Sequence, residues 1–377
     1  VTFVGNPIMH HLLLGINPVE LGGAPFALAT DESVRVRARD LDLTLHTNTR
    51  CYVLPCIAGH VGADTAGMIL SEAPYHREAM SLLVDIGTNA EIVLGNNERL
   101  LAASSPTGPA FEGAQISSGQ RAATGAIERV RIDRETLEPR FLVIGSDLWS
   151  NESGFKKATK AMEVTGICGS GIIEVIAEMY LTGILSQDGV INGAFATKSK
   201  HIIPDGRTFS YVLSHGKHFI QITQNDVRAV QLAKAALYAG IRLLMERMET
   251  ETIARIRLAG AFGSHIDVKY AMVLGLIPDC NLEYVSSAGN AAGTGARIAL
   301  LNYESRKEIE EIVRQVEKVE TAVEVKFQEH FVDAMAFPHK TDSFPNLAKA
   351  VVLPSETNVH NKSDTNLLRK KRRHKKR

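Results

Sequence analysis

The stretch Leu82–Leu94, LLVDIGTNAEIVL, decides the reading of this chain. Leu82, Leu83 and Val84 run into an acid, Asp85; Gly87, Thr88 and Asn89 break the pattern; Ile92 to Leu94 resume it. This predicts a β-hairpin with a polar tip at the end of a buried strand. Such a tip suits phosphate. Gly87 lets backbone approach a ligand, Thr88 and Asn89 add short donors, and successive turn N–H groups form an anion-binding nest. Asp85 at the strand end suits a magnesium ion held through water, because that ion keeps several waters and needs few carboxylates. An ordinary hairpin with a Gly-Thr-Asn turn fits the same residues.

Outward from this hairpin, glycine-rich turns recur at the ends of apolar runs. Gly59, Gly62 and Ala63 precede a helix, with Asp64 or Thr65 near its start. Arg99 to Ser104 reads as a third strand of the same sheet, leading into a long Gly/Ser/Thr loop whose only carboxylate before Glu128 is Glu112. Such loops in a compact domain are usually functional or disordered. Glu112 fits either an orienter of water or metal, or a carboxylate that stabilises a turn. In VTGICGSGIIEVIAEMYLTG, residues 164–183, Gly169-Ser170-Gly171 opens a helix with Ile172, Ile173, Ile176 and Tyr180 on one face, and Gly183 can close it. A helix start favours phosphate, and a tight cap looks the same. The longest helix is predicted near Asn225–Met248, capped by Asn225 and Asp226. A strand at Ile256–Ala259 then breaks at Gly260–Gly263 into a helix opened by Asp267, the place where α/β proteins bind nucleotides. Gly289, Gly293 and Gly295 allow another close approach.

Composition restricts the alternatives. The chain has 377 residues, enough for two lobes with separate cores, and 45% are hydrophobic. Its zero net charge hides an asymmetry: eight of the nine residues Arg369–Arg377 are Lys or Arg, leaving 34 basic against 42 acidic residues elsewhere. The tail from Val359 is expected to be disordered, and its charge suits nucleic acid, a membrane surface or an acidic partner alike. No apolar run approaches the roughly 20 residues of a membrane span, and no secretory signal opens the chain, so a cytoplasmic location is expected. Cys51, Cys56, Cys168 and Cys280 lack the spacing of a disulfide framework or a standard metal site and read as buried thiols. The adjacent His10 and His11 cannot share a helical face, so they read as a satisfied or exposed pair, not a metal site. Arg35, Arg37 and Arg39 alternate as on a solvated strand face.

Taken together, these segments resemble the superfamily of acetate and sugar kinases, heat-shock chaperones and actin, and within it the reductive activators of corrinoid proteins, RACo-like ATPases. The resemblance rests on VGNPIMHHLLLG, LPCIAGHVGADT, LLVDIGTNAEIVL, GPAFEGAQI, GICGSGIIE, LAGAFGSHID, GNAAGTGA and FVDAMAFPHKTDSFPNL, in the family's order from about Val1 to Leu347. It implies an α/β actin-like ATPase fold of ribonuclease H-like lobes, with residues 1–75 the remainder of a first lobe, 76–350 a second lobe and 351–377 a basic tail. It further implies ATP and Mg2+ as cofactors. Asp85, Gly87, Thr88 and Asn89 would form the second phosphate hairpin, with Asp85 on the metal and Asp85 and Glu112 in catalytic positions. Gly260, Ala261, Phe262 and Gly263 would form the adenosine-side loop, and Gly169, Ser170 and Gly171 the hinge-side connection.

The implied activity is ATP-dependent reactivation of a corrinoid methyl-transfer protein, the expected partner; a homodimer is left open, and nucleic acid is not expected despite the tail. Two departures stand out: the first Asp-Ile-Gly-Thr hairpin and the four-cysteine ferredoxin-like module with its iron–sulfur cluster have no counterpart here. The chain is therefore expected to be the carboxyl-terminal part of an activator, its first lobe incomplete, that transfers no electrons alone. A small-molecule kinase of the same fold, with Glu112 or Asp64 as base, and a non-catalytic nucleotide-binding module are the alternatives.

Overall fold

The structure, a computed structural model, describes residues 1–354 apart from Ser264 and the side chains of Ala261 and Phe262; the basic tail lies outside the described residues. The chain opens with a small sheet of β1 (Thr2–Phe3), β2 (Val34–Arg37) and β3 (Arg50–Val53). The central strand β3 pairs parallel with β1 and antiparallel with β2. Helix α1 (Pro7–Leu13) starts on Asn6, whose side chain accepts the Met9 N–H, with Pro7 where a missing N–H costs nothing. His10 and His11 are both buried, in contact through Nδ1 atoms 3.3 Å apart, and His11 Nε2 accepts the Ala29 N–H. Arg35 is exposed, as a solvated strand face requires, and reaches Glu310 at 2.9 Å, a carboxylate that Tyr52 also holds. Helix α2 (Ala63–Glu72) then leads to the main sheet.

That sheet begins as an antiparallel meander of β4 (Ser81–Ile86), β5 (Ala90–Gly95) and β6 (Leu100–Ser105). A long excursion follows. It comprises a sheet of β7 (Ala126–Ile132), β8 (Pro139–Val143) and β9 (Gly166–Ile167), with helix α3 (Phe155–Ala158) between the last two, then helix α4 (Gly169–Leu181), and a second sheet of β10 (Ile202–Asp205), β11 (Thr208–His215) and β12 (Phe219–Ile222). Helix α5 (Gln224–Arg247) returns the chain, and β13 (Arg255–Ala259) joins β4 in parallel on its free side. The short helix α6 (Gly260–Gly263) and α7 (Val268–Leu274) lead to β14 (Val285–Gly289), parallel to β13. Helices α8 (Ala291–Leu301) and α9 (Glu304–Ile312), strand β15 (Glu317–Lys318) beside β6, and helices α10 (Val325–Asp333) and α11 (Pro345–Ala350) complete it. The order β14-β13-β4-β5-β6-β15 contains the ribonuclease H-like pattern, a meander extended beyond its first strand by parallel strands. This is the actin-like ATPase fold.

Strand alternation sends Leu82, Val84 and Ile86 into one core with Val227, Leu237 and Ile172, and Leu83 and Val93 into another with Leu54, Met68, Ile69 and Ala299. Both faces of the sheet are covered, which explains the unbroken apolar run before Asp85. The first segment is seated by α2 crossing α8 at main-chain contact: a Cβ on Gly295 would lie 2.0 Å from the Gly67 carbonyl oxygen.

Two helices differ from the sequence reading. Helix α5 is capped by Thr223, two residues before Asn225, through a reciprocal box with Asp226. Helix α4 is buried around nearly its whole circumference, including Glu174 and Glu178. Both carboxylates are spent on β7: Glu174 accepts the Val130 N–H at 2.9 Å and Arg129 at 2.7 Å, and Glu178 accepts the Ile132 N–H at 2.9 Å. A periodicity count sees only the charges, not the strand that satisfies them.

Candidate functional site

A single row of residues crosses the carboxyl end of the main sheet, Ala259 opposite Asp85, Asp85 opposite Glu91, Glu91 opposite Ser104. Alternation turns Asp85 to the face of Leu83, toward the first segment, and there Asp64 of α2 joins it. Burial pushes the Asp85 carboxyl up to about 6, with the Asp64 charge adding to the effect. Glu91 is pushed up to about 9 by burial, then by Asp64 and Asp85. Burial raises Asp64 as well. Burial and like charges disfavour full ionisation of the three acids, and a cation beside them would favour their charged forms. Among the described residues no cluster of such side chains is able to chelate an ion alone. That donor set fits magnesium, which binds through water, one or two carboxylates and phosphate.

The hairpin tip, joining β4 to β5, lies just beyond the middle of this row. Thr88 Oγ1 donates to Glu112 Oε1 at 2.8 Å. The N–H groups of Thr88 and Asn89 donate to no other group among the described residues, which fits an anion. On the other side, Gly260 has φ +87°, and a Cβ there would lie 2.4 Å from Asp85 Oδ1, so only glycine lets the acid rest against this turn. Gly263 is buried; the Ala261 and Phe262 side chains lie outside the described residues. Beyond β6 a cavity of about 580 Å³ opens beside the tip, lined by Asn89, Ser104, Pro106, His60, Glu320 and Phe327.

The structure thus brings Asp85, Gly87, Thr88, Asn89, Glu112 and Gly260 together. Gly169, Ser170 and Gly171 form the buried first turn of α4 and pack under β7: a Cβ on Gly171 would lie 2.4 Å from the Ile127 carbonyl oxygen, and Ser170 Oγ lies 3.4 Å from Cys168 Sγ. Glu91 is absent from the sequence-derived candidates. The signal was present, because a three-residue tip after Ile86 makes Glu91 the direct cross-strand partner of Asp85. Asp64 reads from sequence as a residue near a helix start, and only the fold places it here.

A family model described as the C-terminal domain of RACo, the ASKHA domain, matches residues 79–348, and one for the RACo middle region matches residues 1–76. The corrinoid activation enzyme RamQ of Eubacterium limosum is 37% identical over 343 residues, 88% of this chain and 54% of that protein. The Co(II) methylated amine-specific corrinoid protein reductase of Methanosarcina barkeri is 28% identical over 279 residues, 72% of this chain and 48% of that protein. A solved reductive activator for corrinoid, iron-sulfur protein superposes with a TM-score of 0.77 at 32% identity, covering 90% of this chain and 52% of that one. The chain spans about half the length of the curated relatives it matches. With both regions matched in order and the actin-like sheet in place, the chain belongs to the RACo family, as a RACo middle region joined to a RACo ASKHA domain.

Proposed function

We propose that this chain supplies the ATPase portion of a reductive activator acting on a corrinoid methyl-transfer protein. The observation that carries the reading is the meeting of Asp85, the unpaired Thr88 and Asn89 N–H groups and the Gly260 turn at the carboxyl end of adjoining strands. In this reading Thr88 and Asn89 bind terminal phosphate oxygens. Asp85 holds Mg2+ through water, and the ion, when bound, offsets charge on the phosphates. Glu112 fixes the Thr88 hydroxyl and orients a water. Gly260–Gly263 supports the adenosine side, and Gly169–Gly171 carries the connection beneath it. Positioning and electrostatics then supply most of the rate.

The division into a first-lobe part at 1–75 and an ATPase lobe at 76–350 belongs to the same proposal, as does a cytoplasmic setting. No helix among the described residues is long and apolar enough to cross a membrane. Electrons for the corrinoid would come from an iron–sulfur module of the kind the family carries, since the four cysteines here are all buried thiols. ATP turnover would alter how α2 and α8 hold the two parts, and so the affinity for the corrinoid protein.

The test is calorimetric titration with Mg·ATP, followed by hydrolysis assays with and without a corrinoid protein. Binding with hydrolysis stimulated by the corrinoid protein is expected. Absence of Mg·ATP binding would overturn the reading, and binding without turnover would reduce it to a nucleotide-binding module.

A further inference from the structure

The N–H groups at the hairpin tip are aimed by a residue outside the row just described. Thr107 is only 5% exposed, and its Oγ1 donates toward two successive carbonyl oxygens, Gly87 at 2.9 Å and Thr88 at 3.1 Å. Its neighbour Gly108 donates its N–H to the Thr88 carbonyl at 2.8 Å. In a trans peptide unit the C=O and the following N–H point in opposite directions. Drawing the Gly87 carbonyl to Thr107 therefore turns the Thr88 N–H away from it, and drawing the Thr88 carbonyl there turns the Asn89 N–H the same way. Two carbonyls converging on one hydroxyl thus present two N–H groups on the opposite side, the arrangement of an anion nest.

The support is stiff. Pro106 and Pro109 fix φ on either side, and Gly108 sits at φ +70°, where a side chain would be strained. Thr88 is held a second time through its hydroxyl on Glu112. Without the Thr107 hydroxyl the Gly87 carbonyl loses its one hydrogen-bond partner among the described residues, and with it the bond that sets the orientation of that peptide plane.

We infer that Thr107 is a positioning residue that orients the hairpin backbone toward the terminal phosphates of a nucleoside triphosphate. The inference rests on the reading of the tip as a phosphate site.

The test compares wild type, Thr107→Val and Thr107→Ser in the full 377-residue chain. Each is titrated with Mg·ATP, Mg·ADP and adenosine, and melted without ligand. Thr107→Val is expected to weaken Mg·ATP and Mg·ADP about tenfold while sparing adenosine, and Thr107→Ser to restore both. A Thr107→Val chain that binds Mg·ATP like wild type overturns the positioning role and leaves the phosphate site intact. Equal weakening of adenosine and ATP, without rescue by serine, assigns the loss to general disruption and also overturns it. A wild type that binds adenosine as tightly as Mg·ATP refutes the phosphate reading of the tip, and the inference with it.

Discussion

Asp85 and Glu91 stand directly opposite each other across the central hairpin, two carboxylates on one face of the sheet with Asp64 reaching them from α2. Their folded-state affinities for protons are raised, Asp85 to about 6 and Glu91 to about 9. For acids shifted upward, the native state binds more protons than the unfolded chain, so their contribution is fully present at low pH and is lost as pH rises through those values. We expect the denaturation midpoint to fall between pH 5 and pH 9, on the order of these shifts, and Glu91→Gln to flatten the decline. A midpoint that rises over that range in wild type would contradict the arrangement.

Asp85→Ala removes the acid proposed to hold magnesium. Nucleotide affinity in the presence of magnesium should fall about tenfold or more, near 1.4 kcal/mol, while magnesium-free binding changes little. Calorimetry with and without chelator measures both. Unchanged affinity would sink the phosphate-hairpin assignment.

Gly295→Ala places a methyl where the Gly67 carbonyl already stands, 2.0 Å away. The α2–α8 crossing must open, at a cost of about 1–3 kcal/mol typical of overpacking. Urea unfolding should record that loss, whereas Gly22→Ala, with open space around it, should record almost none.

Glu174→Ala leaves the Val130 N–H and two guanidinium groups, Arg129 and Arg131, without their common acceptor. Breaking a buried pair costs about 3–5 kcal/mol when both partners are dry. The arginines here are 37% and 30% exposed, so roughly 2 kcal/mol is expected after screening. Thermal melting of the variant checks it.

The parts of this fold visible in the sequence are those governed by short-range rules. The hairpin followed from Asp85-Ile86-Gly87-Thr88-Asn89 between apolar runs, and the Gly260 turn from a strand broken by glycine. The apolar stripe of α5 declared a long helix, though its cap was misplaced because Thr223, Asn225 and Asp226 are all good capping residues and only the backbone bonds choose among them. What stayed hidden depends on long-range placement. Nothing local in the sequence shows that Glu174 and Glu178 are buried; only β7, laid against them, does. Asp64 lies twenty-one positions before Asp85 in the chain and comes near it only because α2 packs on the sheet. Thr107 looked like one more small residue in a loop, since its importance lies in which carbonyls it reaches.

The crossing of α2 and α8 has a mechanical consequence. Side-chain contacts between helices absorb small displacements by changing rotamer, but at Gly67 and Gly295 main chain rests on main chain and offers no such slack. The crossing therefore resists sliding of α2 over α8, the helix whose start is capped by the Asn290 side chain next to Gly289 at the end of β14. The two glycines thus make the crossing a rigid joint, and Asp64, near Asp85, stands in the first turn of one of the helices it joins.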